Sequence, residues 1–382
     1  MSTSSSKIHV GMDLHKDTVM IAVLPEEAEK PTIVKQLAND ERSLRRFLAG
    51  IAEEGELRCC YEASGAGYVL QRAIERWGHH CEVIAPALIP TRPGHRRKQD
   101  RFDAIELATQ HRAGLLVPVR IPSEAEERVR DLVRCRETFQ REILKSRHYI
   151  LKFLRRRGFV FRDGSNWTQK HLTWIRSLLG CDELAAEDRD VLGEYLALLE
   201  YKVDRRDELD RKIEQIAVTP VYKEAISRLR GLRGLRGVDT HGAMVLRSEL
   251  GDLRRFGSPR QLMAYVGLVP SEHSSGSRKH RGSITKAGNS HCRHVLVQAA
   301  WSYRYPPRVG ARLRERQEGL PPEVVAHSWK AQHRLHKLFR RIEQRRGSRI
   351  AVVAVVRELA GFVWAVLQDV DAESPIQQVR AA

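Results

Sequence analysis

Apolar and polar positions in the first part of the chain predict a β-hairpin followed by alternating helices and strands. The apolar runs predicted as strands lie at 8–14, 18–24, 32–37, 57–61 and 81–85, and the polar residues His15, Lys16 and Asp17 form the predicted turn between the first two. Amphipathic stretches between them predict helices near 41–53 and 68–77. Because a hairpin precedes the alternation, the pattern indicates a mixed sheet flanked by helices, an α/β domain over residues 1–118.

Two later stretches are dense in charge and carry their apolar residues at helical spacing. They cover 123–157 and 187–216, and Ser123 with Glu126 forms an S-x-x-E capping signal at the start of the first. Two long amphipathic helices in succession favour a helical hairpin or coiled coil over residues 119–218. An ordinary helical bundle packed on either neighbour is the alternative.

The remaining residues, 219–382, have a mostly helical pattern. One long irregular stretch, Gly267–Gly288, interrupts it and is rich in Gly, Ser, Arg and His. The most apolar window of the chain, 350–367, contains Arg357 and Glu358. Since a membrane span needs about 20 predominantly apolar residues, the window favours a buried core helix.

Composition indicates a polyanionic partner. The chain has 382 residues with 66 Lys and Arg against 48 Asp and Glu, a formal net charge of +18. Such a surplus indicates nucleic acid first and a membrane surface second. The N-terminal residues contain no apolar leader, and the six cysteines show no C-x-x-C spacing. The sequence therefore favours a cytoplasmic protein with reduced thiols and disfavours a zinc site.

Four carboxylates follow predicted strands or begin a predicted helix. Asp13 ends the first strand, and Glu62 follows the strand at 57–61. Asp100 and Asp103 share one face if a helix begins there. Clustered carboxylates repel one another unless a cation neutralises them, and Mg²⁺ or Mn²⁺ accepts such oxygen ligands. Two ions about 4 Å apart would suit phosphodiester chemistry, although each acid alone is also typical of a turn or an N-cap.

A basic segment follows in the third region. From residue 273 to residue 314 the chain has no Asp or Glu but nine Lys or Arg. Cations beside a Gly-rich backbone suit a path for phosphates, whereas a solvated basic face is the alternative. The cations that we predict to bind nucleic acid are Lys98, Arg278, Lys279, Arg281, Lys286 and Arg293.

Six motifs occur in order along the chain. In the first region they are GMDLHK around Asp13, YEASGAGY around Glu62 and KQDRFDAIELA at 98–108. Downstream they are LRGVDT at 235–240, FGSPRQLMAYVGLVP at 256–270 and the Ser- and Gly-rich segment 274–289. Together they resemble the DEDD transposases of the insertion-sequence one-ten family, from about residue 8 to about residue 367.

The resemblance implies an RNase H-like fold of the RuvC type for the first domain. Its metal-binding and catalytic set would be Asp13, Glu62, Asp100 and Asp103. It also implies a coiled-coil middle, a mostly α C-terminal transposase domain and assembly as a homo-oligomer, a dimer or tetramer, on DNA. The expected activity is recombination between the ends of a mobile element and a target DNA.

The same resemblance implies a serine nucleophile and an RNA partner. The matching Ser-Gly pair is Ser275-Gly276, and Ser274 is the alternative register. Family members are thought to use a structured non-coding guide RNA to choose both DNAs. Two other functions stay open: a RuvC-type junction endonuclease that uses metal-activated water, and a non-catalytic nucleic-acid-binding protein.

Overall fold

The computed structural model describes residues 6–90, 100–231, 240–272 and 281–372. The chain divides into two compact units, Met1–Pro122 and Ser123–Ala382. The predicted domain boundaries near residues 118 and 218 stay predictions.

The first unit contains a five-stranded mixed sheet. Its elements in chain order are β1 (Lys7–Leu14), β2 (Thr18–Pro25), β3 (Ile33–Ala38), α1 (Glu41–Ala52), β4 (Glu56–Glu62), α2 (Val69–Arg76), β5 (His80–Ile84) and α3 (Asp100–Arg112). The strand order is β3-β2-β1-β4-β5, with β1–β2 and β2–β3 antiparallel and β1–β4 and β4–β5 parallel. The predicted hairpin and the alternating elements are confirmed, each end within one residue of its predicted position.

Strand β1 separates two cores, because its side chains alternate between the two faces of the sheet. Met12 is buried on one face, in the same cluster as Leu44 of α1. Helix α3 packs on β1 and β2, where its small residues Ala104 and Ala108 are fully buried. The odd-numbered positions of β1, which include Asp13, lie on the face that α3 covers.

The second unit is mostly helical. Its elements are α4 (Glu124–Arg156), α5 (Gln169–Ser177), α6 (Ala186–Ala217), α7 (Pro220–Gly231), α8 (Thr240–Leu250), α9 (Pro259–Tyr265), β6 (Pro270–Glu272), β7 (Arg281–Ile284), α10 (Ser290–Ala300), α11 (Ala311–Gln317), α12 (Pro322–Arg346) and α13 (Ser348–Ala372). A mixed α/β first region and a mostly helical remainder therefore agree with the sequence prediction.

The two long helices predicted in the middle region are α4 and α6, and they pack on each other. The capping signal at the start of α4 is confirmed. The Ser123 hydroxyl accepts a hydrogen bond from the Glu126 backbone N–H at 3.2 Å, and the Glu126 carboxylate accepts one from the Ser123 N–H at 2.8 Å. The interlocking side-chain packing of a true coiled coil stays a prediction.

Helix α13 contains the apolar stretch Ser348–Gln368, which includes the predicted window 350–367. Among the described residues it is the one helix long and apolar enough to cross a membrane, and half of that window is buried inside the protein. Val355, Leu359 and Val363 are fully buried in the main core of the second unit. As predicted, the apolar composition of α13 serves a core helix.

Candidate active site

The carboxyl edge of the parallel strands β1 and β4 brings two of the predicted acids together along the backbone. Asp13 lies near the end of β1, and its carboxylate is about one quarter exposed. Parallel pairing of Met12 with Tyr61 places Glu62, the last residue of β4, at the same edge as Asp13. The Glu62 side chain is exposed.

Helix α3 supplies the other two acids, and its backbone lies very close to that of β1. A Cβ on Gly11 would lie only 2.3 Å from the Ala104 carbonyl oxygen and 2.5 Å from the Ala108 nitrogen. Only glycine therefore permits this contact. Asp100 and Asp103 occupy the first turn of α3, and both carboxylates act electrostatically on Asp13.

A histidine that the sequence assigned only to a turn lies between two of these acids. The Nε2 atom of His15 is 3.2 Å from the Asp13 carboxylate and 3.1 Å from the Asp100 carboxylate. The possible ligand atoms of the three residues all lie within 4.8 Å of one another. The two-residue spacing from Asp13 is consistent with side chains on one side of an extended chain, but it contains no information on the contact with Asp100.

Asp13 has a perturbed acidity. Burial is the largest influence on the pKa of its carboxyl group and raises it. The neighbouring His15 lowers this pKa, whereas the Asp100 and Asp103 carboxylates raise it, and the net shift is upward. The folded chain therefore holds repelling negative charges at this edge.

The donor set fits a divalent cation. Carboxylate oxygens are the ligands that Mg²⁺ and Mn²⁺ favour, and an imidazole nitrogen is compatible with a transition ion such as Mn²⁺. A cation bound here would offset the repulsion around Asp13, which a single imidazole only partly relieves. The arrangement is therefore a candidate metal centre.

Four predicted site residues lie outside the described residues. These are Lys98 in the first unit and Ser275, Arg278 and Lys279 in the second. Strands β6 and β7 flank the segment that contains Ser275, and they pair with each other. In their register the backbone of Glu272 is opposite that of Arg281. The backbone of Arg281 is thus fixed at the start of β7.

Two glycines, Gly267 before β6 and Gly288 after β7, lie in close backbone contacts at the open end of the β6–β7 hairpin, and we call this pair the glycine clasp. Gly267 has φ +67° and Gly288 has φ +82°, and a Cβ on either residue would lie 2.0 Å from a backbone oxygen of the facing segment. Between them, Lys286 has φ +57°, a conformation that is uncommon for a residue with a side chain. Its N–H donates to the Gly267 carbonyl at 3.1 Å, and its side chain is exposed. The fold thus holds this predicted cation in a strained conformation.

Arg293 makes structural contacts beside the clasp. Its Nη1 donates to the Val266 carbonyl at 2.8 Å and to the Ala287 carbonyl at 3.5 Å. These contacts connect α10 to the segments that carry Gly267 and Gly288. Binding of nucleic acid by Arg293 stays a prediction, and the contacts give the residue a positioning role as well.

A buried carboxylate connects the hairpin base to the long helix α4. Glu249 of α8 has a side chain only 2% exposed, and it receives a bidentate pair of hydrogen bonds from Arg134 at 2.6 and 2.9 Å. Asn289, the N-cap of α10, donates to the same carboxylate at 2.7 Å. Burial raises the pKa of Glu249, but Arg134, Asn289 and Arg130 together lower it below the ordinary value.

We expect Glu249→Ala to lower the free energy of unfolding by about 3 kcal/mol, because it leaves the nearly buried Arg130 without its counter-charge and leaves Arg134 and Asn289 without their acceptor. Urea denaturation followed by circular dichroism measures this, with Glu183→Ala, at an exposed carboxylate, as the control within about 0.5 kcal/mol of wild type. Because the pKa of Glu249 is depressed, its contribution is present above the ordinary carboxyl pKa. It is lost as the pH falls toward the folded-state value. Equal losses in both variants would contradict the prediction.

Comparison with known proteins agrees with this arrangement. A DEDD family model described as "Transposase" matches residues 10–157, and one described as "Transposase IS116/IS110/IS902 family" matches residues 229–313. The protein y4qE of Sinorhizobium fredii, whose given name assigns it to the transposases, is 37% identical over 94% of this chain and 88% of its own length. The transposase for insertion sequence element IS1533 of Leptospira borgpetersenii is 30% identical over 89% of this chain and 98% of its own length. The transposase for insertion sequence element IS1328 of Yersinia enterocolitica is 25% identical over 80% and 82%.

The first matched range contains all four predicted acids, and the second contains Ser275. The family implies dependence on a divalent metal, which the carboxylate cluster fits. Together with the relatives that extend over nearly the whole chain, these matches show that the chain belongs to the IS110 family of DEDD transposases and is a DNA transposase.

Proposed function

We propose that this transposase recombines the ends of an insertion element with a target DNA under the guidance of a structured non-coding RNA. Its first unit would have the RuvC type of RNase H-like fold, and α4 with α6 would form the coiled coil of the middle region. The observation that carries the proposal is the convergence of Asp13 and Asp100 on His15 at the edge of the sheet.

Asp13, Glu62, Asp100 and Asp103 would hold Mg²⁺ or Mn²⁺. When bound, such an ion supplies Lewis-acid stabilisation of charge on a phosphodiester. The chain contributes the geometry: Gly11 lets α3 lie against β1 at Ala104 and Ala108, one turn after the helix start that carries Asp100 and Asp103. His15 would either join the ligands or orient the two carboxylates that it contacts.

Ser275 would act as the nucleophile. Its Oγ forms a bond to phosphorus, the bond from phosphorus to one deoxyribose oxygen breaks, and the serine proton is transferred away while the leaving strand gains a hydroxyl. The hydroxyl of a second strand then attacks the same phosphorus, the bond from phosphorus to the serine Oγ breaks, and the serine oxygen regains a proton while the attacking hydroxyl loses its own. Because a phosphodiester is kept throughout, rejoining needs no external energy source.

The net charge of +18 supports binding of nucleic acid, and the family resemblance supplies RNA as a partner beside DNA. We infer assembly as a homo-oligomer on two DNAs and a cytoplasmic location, since the substrate is DNA. A membrane partner is disfavoured because the apolar face of α13 is used in the protein core.

The test is a strand-transfer assay with full-length protein, DNA carrying the element ends, a target DNA and RNA transcribed from the element's non-coding region. We expect rejoined product with Mg²⁺ or Mn²⁺, none detectable in EDTA, and none after RNase treatment until RNA is added back. Unchanged product in EDTA would refute the metal assignment, and unchanged product after RNase would refute guidance. Cut but unjoined DNA would favour the junction endonuclease.

A further inference from the structure

Helix α12 and the segment before α11 form an open groove with several cationic side chains, and all of its lining except Pro307 lies beyond the matched family segment 229–313. The groove has a volume of about 730 Å³ and is lined by Pro307, Trp329, Lys330, His333, His336 and Lys337, among others. No acidic residue lines it among the residues that the structure describes. The cationic side chains suit an anionic ligand, and the mostly apolar lining suits a ligand that also presents a flat apolar face.

The groove contains an exposed tryptophan in a fixed orientation. The Trp329 side chain is 46% exposed, whereas most large apolar residues of α12 are buried. Its indole makes an edge-to-face contact with the His333 ring, with ring centroids 4.5 Å apart and planes at 74°. This contact preorganises an accessible aromatic surface, the feature on which an unpaired base can stack.

Cations flank the tryptophan at helical spacing. Lys330, Lys337 and Arg341 have no acidic partner among the described residues, whereas Arg334 is paired with Glu358 at 2.6 Å. An aromatic side chain between uncompensated cations is the arrangement that binds single-stranded nucleic acid, with stacking for the base and charge for the phosphates. A duplex would present only phosphates here, because its bases are already stacked.

A hydrogen bond sets the tautomer of His336, whose ring lines the groove. Its Nδ1 lies 2.9 Å from the Tyr303 carbonyl oxygen, which can only accept, so Nδ1 carries the hydrogen. In the neutral ring, Nε2 is then an acceptor. A ribose 2′-hydroxyl can donate to such an acceptor and a deoxyribose cannot.

We propose that Trp329 is a stacking platform for an unpaired base of RNA, held by Lys330 and Lys337 on its phosphates and by His336 on its ribose. The proposal rests on the proposed function, because it names where on the chain an RNA partner would be bound.

The experiment measures binding of full-length protein to a fluorescent single-stranded oligoribonucleotide by anisotropy, beside the same sequence as deoxyribonucleotide and as RNA duplex. We expect Trp329→Ala to weaken single-stranded RNA binding about tenfold or more, and Trp329→Phe to retain most of it. Duplex binding should change less than threefold. Tyr201→Ala, which removes a 59% exposed aromatic side chain from α6, is the matched control and should bind as wild type.

Two further variants test the cations and the ribose contact. Lys337→Gln should reduce the salt dependence of binding by about one phosphate contact. His336→Asn retains a donor near the Nδ1 position and removes the Nε2 acceptor, so the preference for RNA over DNA should fall toward unity. Thermal melts would confirm that every variant is folded.

Unchanged RNA binding by Trp329→Ala would overturn the proposal, as would equal losses for duplex and single strand. Equal wild-type affinity for RNA and DNA strands would overturn the choice of RNA. A change of oligomeric state in Trp329→Ala with intact RNA binding would assign the surface to a second copy of the chain instead. The binding experiment does not measure recombination. A negative result for Trp329 therefore does not refute RNA-dependent strand transfer, and a negative strand-transfer assay does not refute base stacking on Trp329.

Discussion

Asp13→Asn should lower strand transfer at least about 10³-fold while the protein stays folded. The substitution removes a charged oxygen ligand from the site where a cation would stabilise negative charge, a contribution of several kcal/mol. Since Asp13 already lies beside Asp100, the loss of one negative charge relieves repulsion in the metal-free protein. We therefore expect a free energy of unfolding within about 1 kcal/mol of wild type.

Metal binding provides a second readout that does not need activity. Millimolar Mg²⁺ or Mn²⁺ should raise the melting temperature of wild type, because the ion binds the folded state, and should raise that of Asp13→Asn much less. Asp103→Ala should behave like Asp13→Asn in both assays. Asp17→Asn makes the same charge change at an exposed position of the β1–β2 turn and should match wild type. Full strand transfer by Asp13→Asn would exclude the carboxylate cluster as the catalytic centre.

Local patterns were sufficient to predict the first unit's elements. The strands and helices follow from apolar alternation and helical spacing, and the hairpin of β1 and β2 follows from the polar turn between them. The cap of α4 follows from Ser123 and Glu126, because a capping box involves only residues three apart. These features depend on neighbours in sequence.

The candidate active site depends on contacts between residues that are distant in sequence. Such contacts cannot be read from the spacing of residues along the chain. The position of α3 is fixed where Gly11 lets its backbone touch β1, and no pattern within either element predicts that contact. The sequence predicts a turn at His15 because turns favour polar residues, and only the fold shows His15 between Asp13 and Asp100. The sequence predicts that Arg293 binds nucleic acid, and the structure shows that its guanidinium also donates to two backbone carbonyls.

The structure also explains why glycine stands at two positions of the C-terminal region, residues 219–382. Gly267 and Gly288 are required by positive φ angles and by backbone contacts closer than any Cβ allows. Their effect is to fix the base of the β6–β7 hairpin, whose strands carry the two ends of the segment that contains Ser275. Gly267 and Gly288 therefore have a structural role, and the catalytic role is proposed for Ser275 in the segment between them.

Ser275→Ala should abolish both strand exchange and a covalent protein–DNA product, while binding of DNA and RNA is retained. A serine hydroxyl is a poor nucleophile until a base, a metal or nearby cations favour its alkoxide. The acid-free segment around it, which includes Arg278 and Lys286, provides cations and no competing negative charge. Gly276 would let a phosphate approach the hydroxyl closely, since it has no side chain.

Denaturing gels of a reaction with end-labelled DNA measure the covalent product, and a filter-binding assay measures affinity. We expect the adduct to fall below detection in Ser275→Ala and in wild type treated with EDTA, with affinity for DNA changed less than threefold. Ser277→Ala removes a hydroxyl from the same segment and is the matched control. If Ser274→Ala loses the adduct and Ser275→Ala keeps it, Ser274 is the nucleophile. If DNA is cut with no adduct in wild type, the strand is hydrolysed by water, and the serine assignment is wrong.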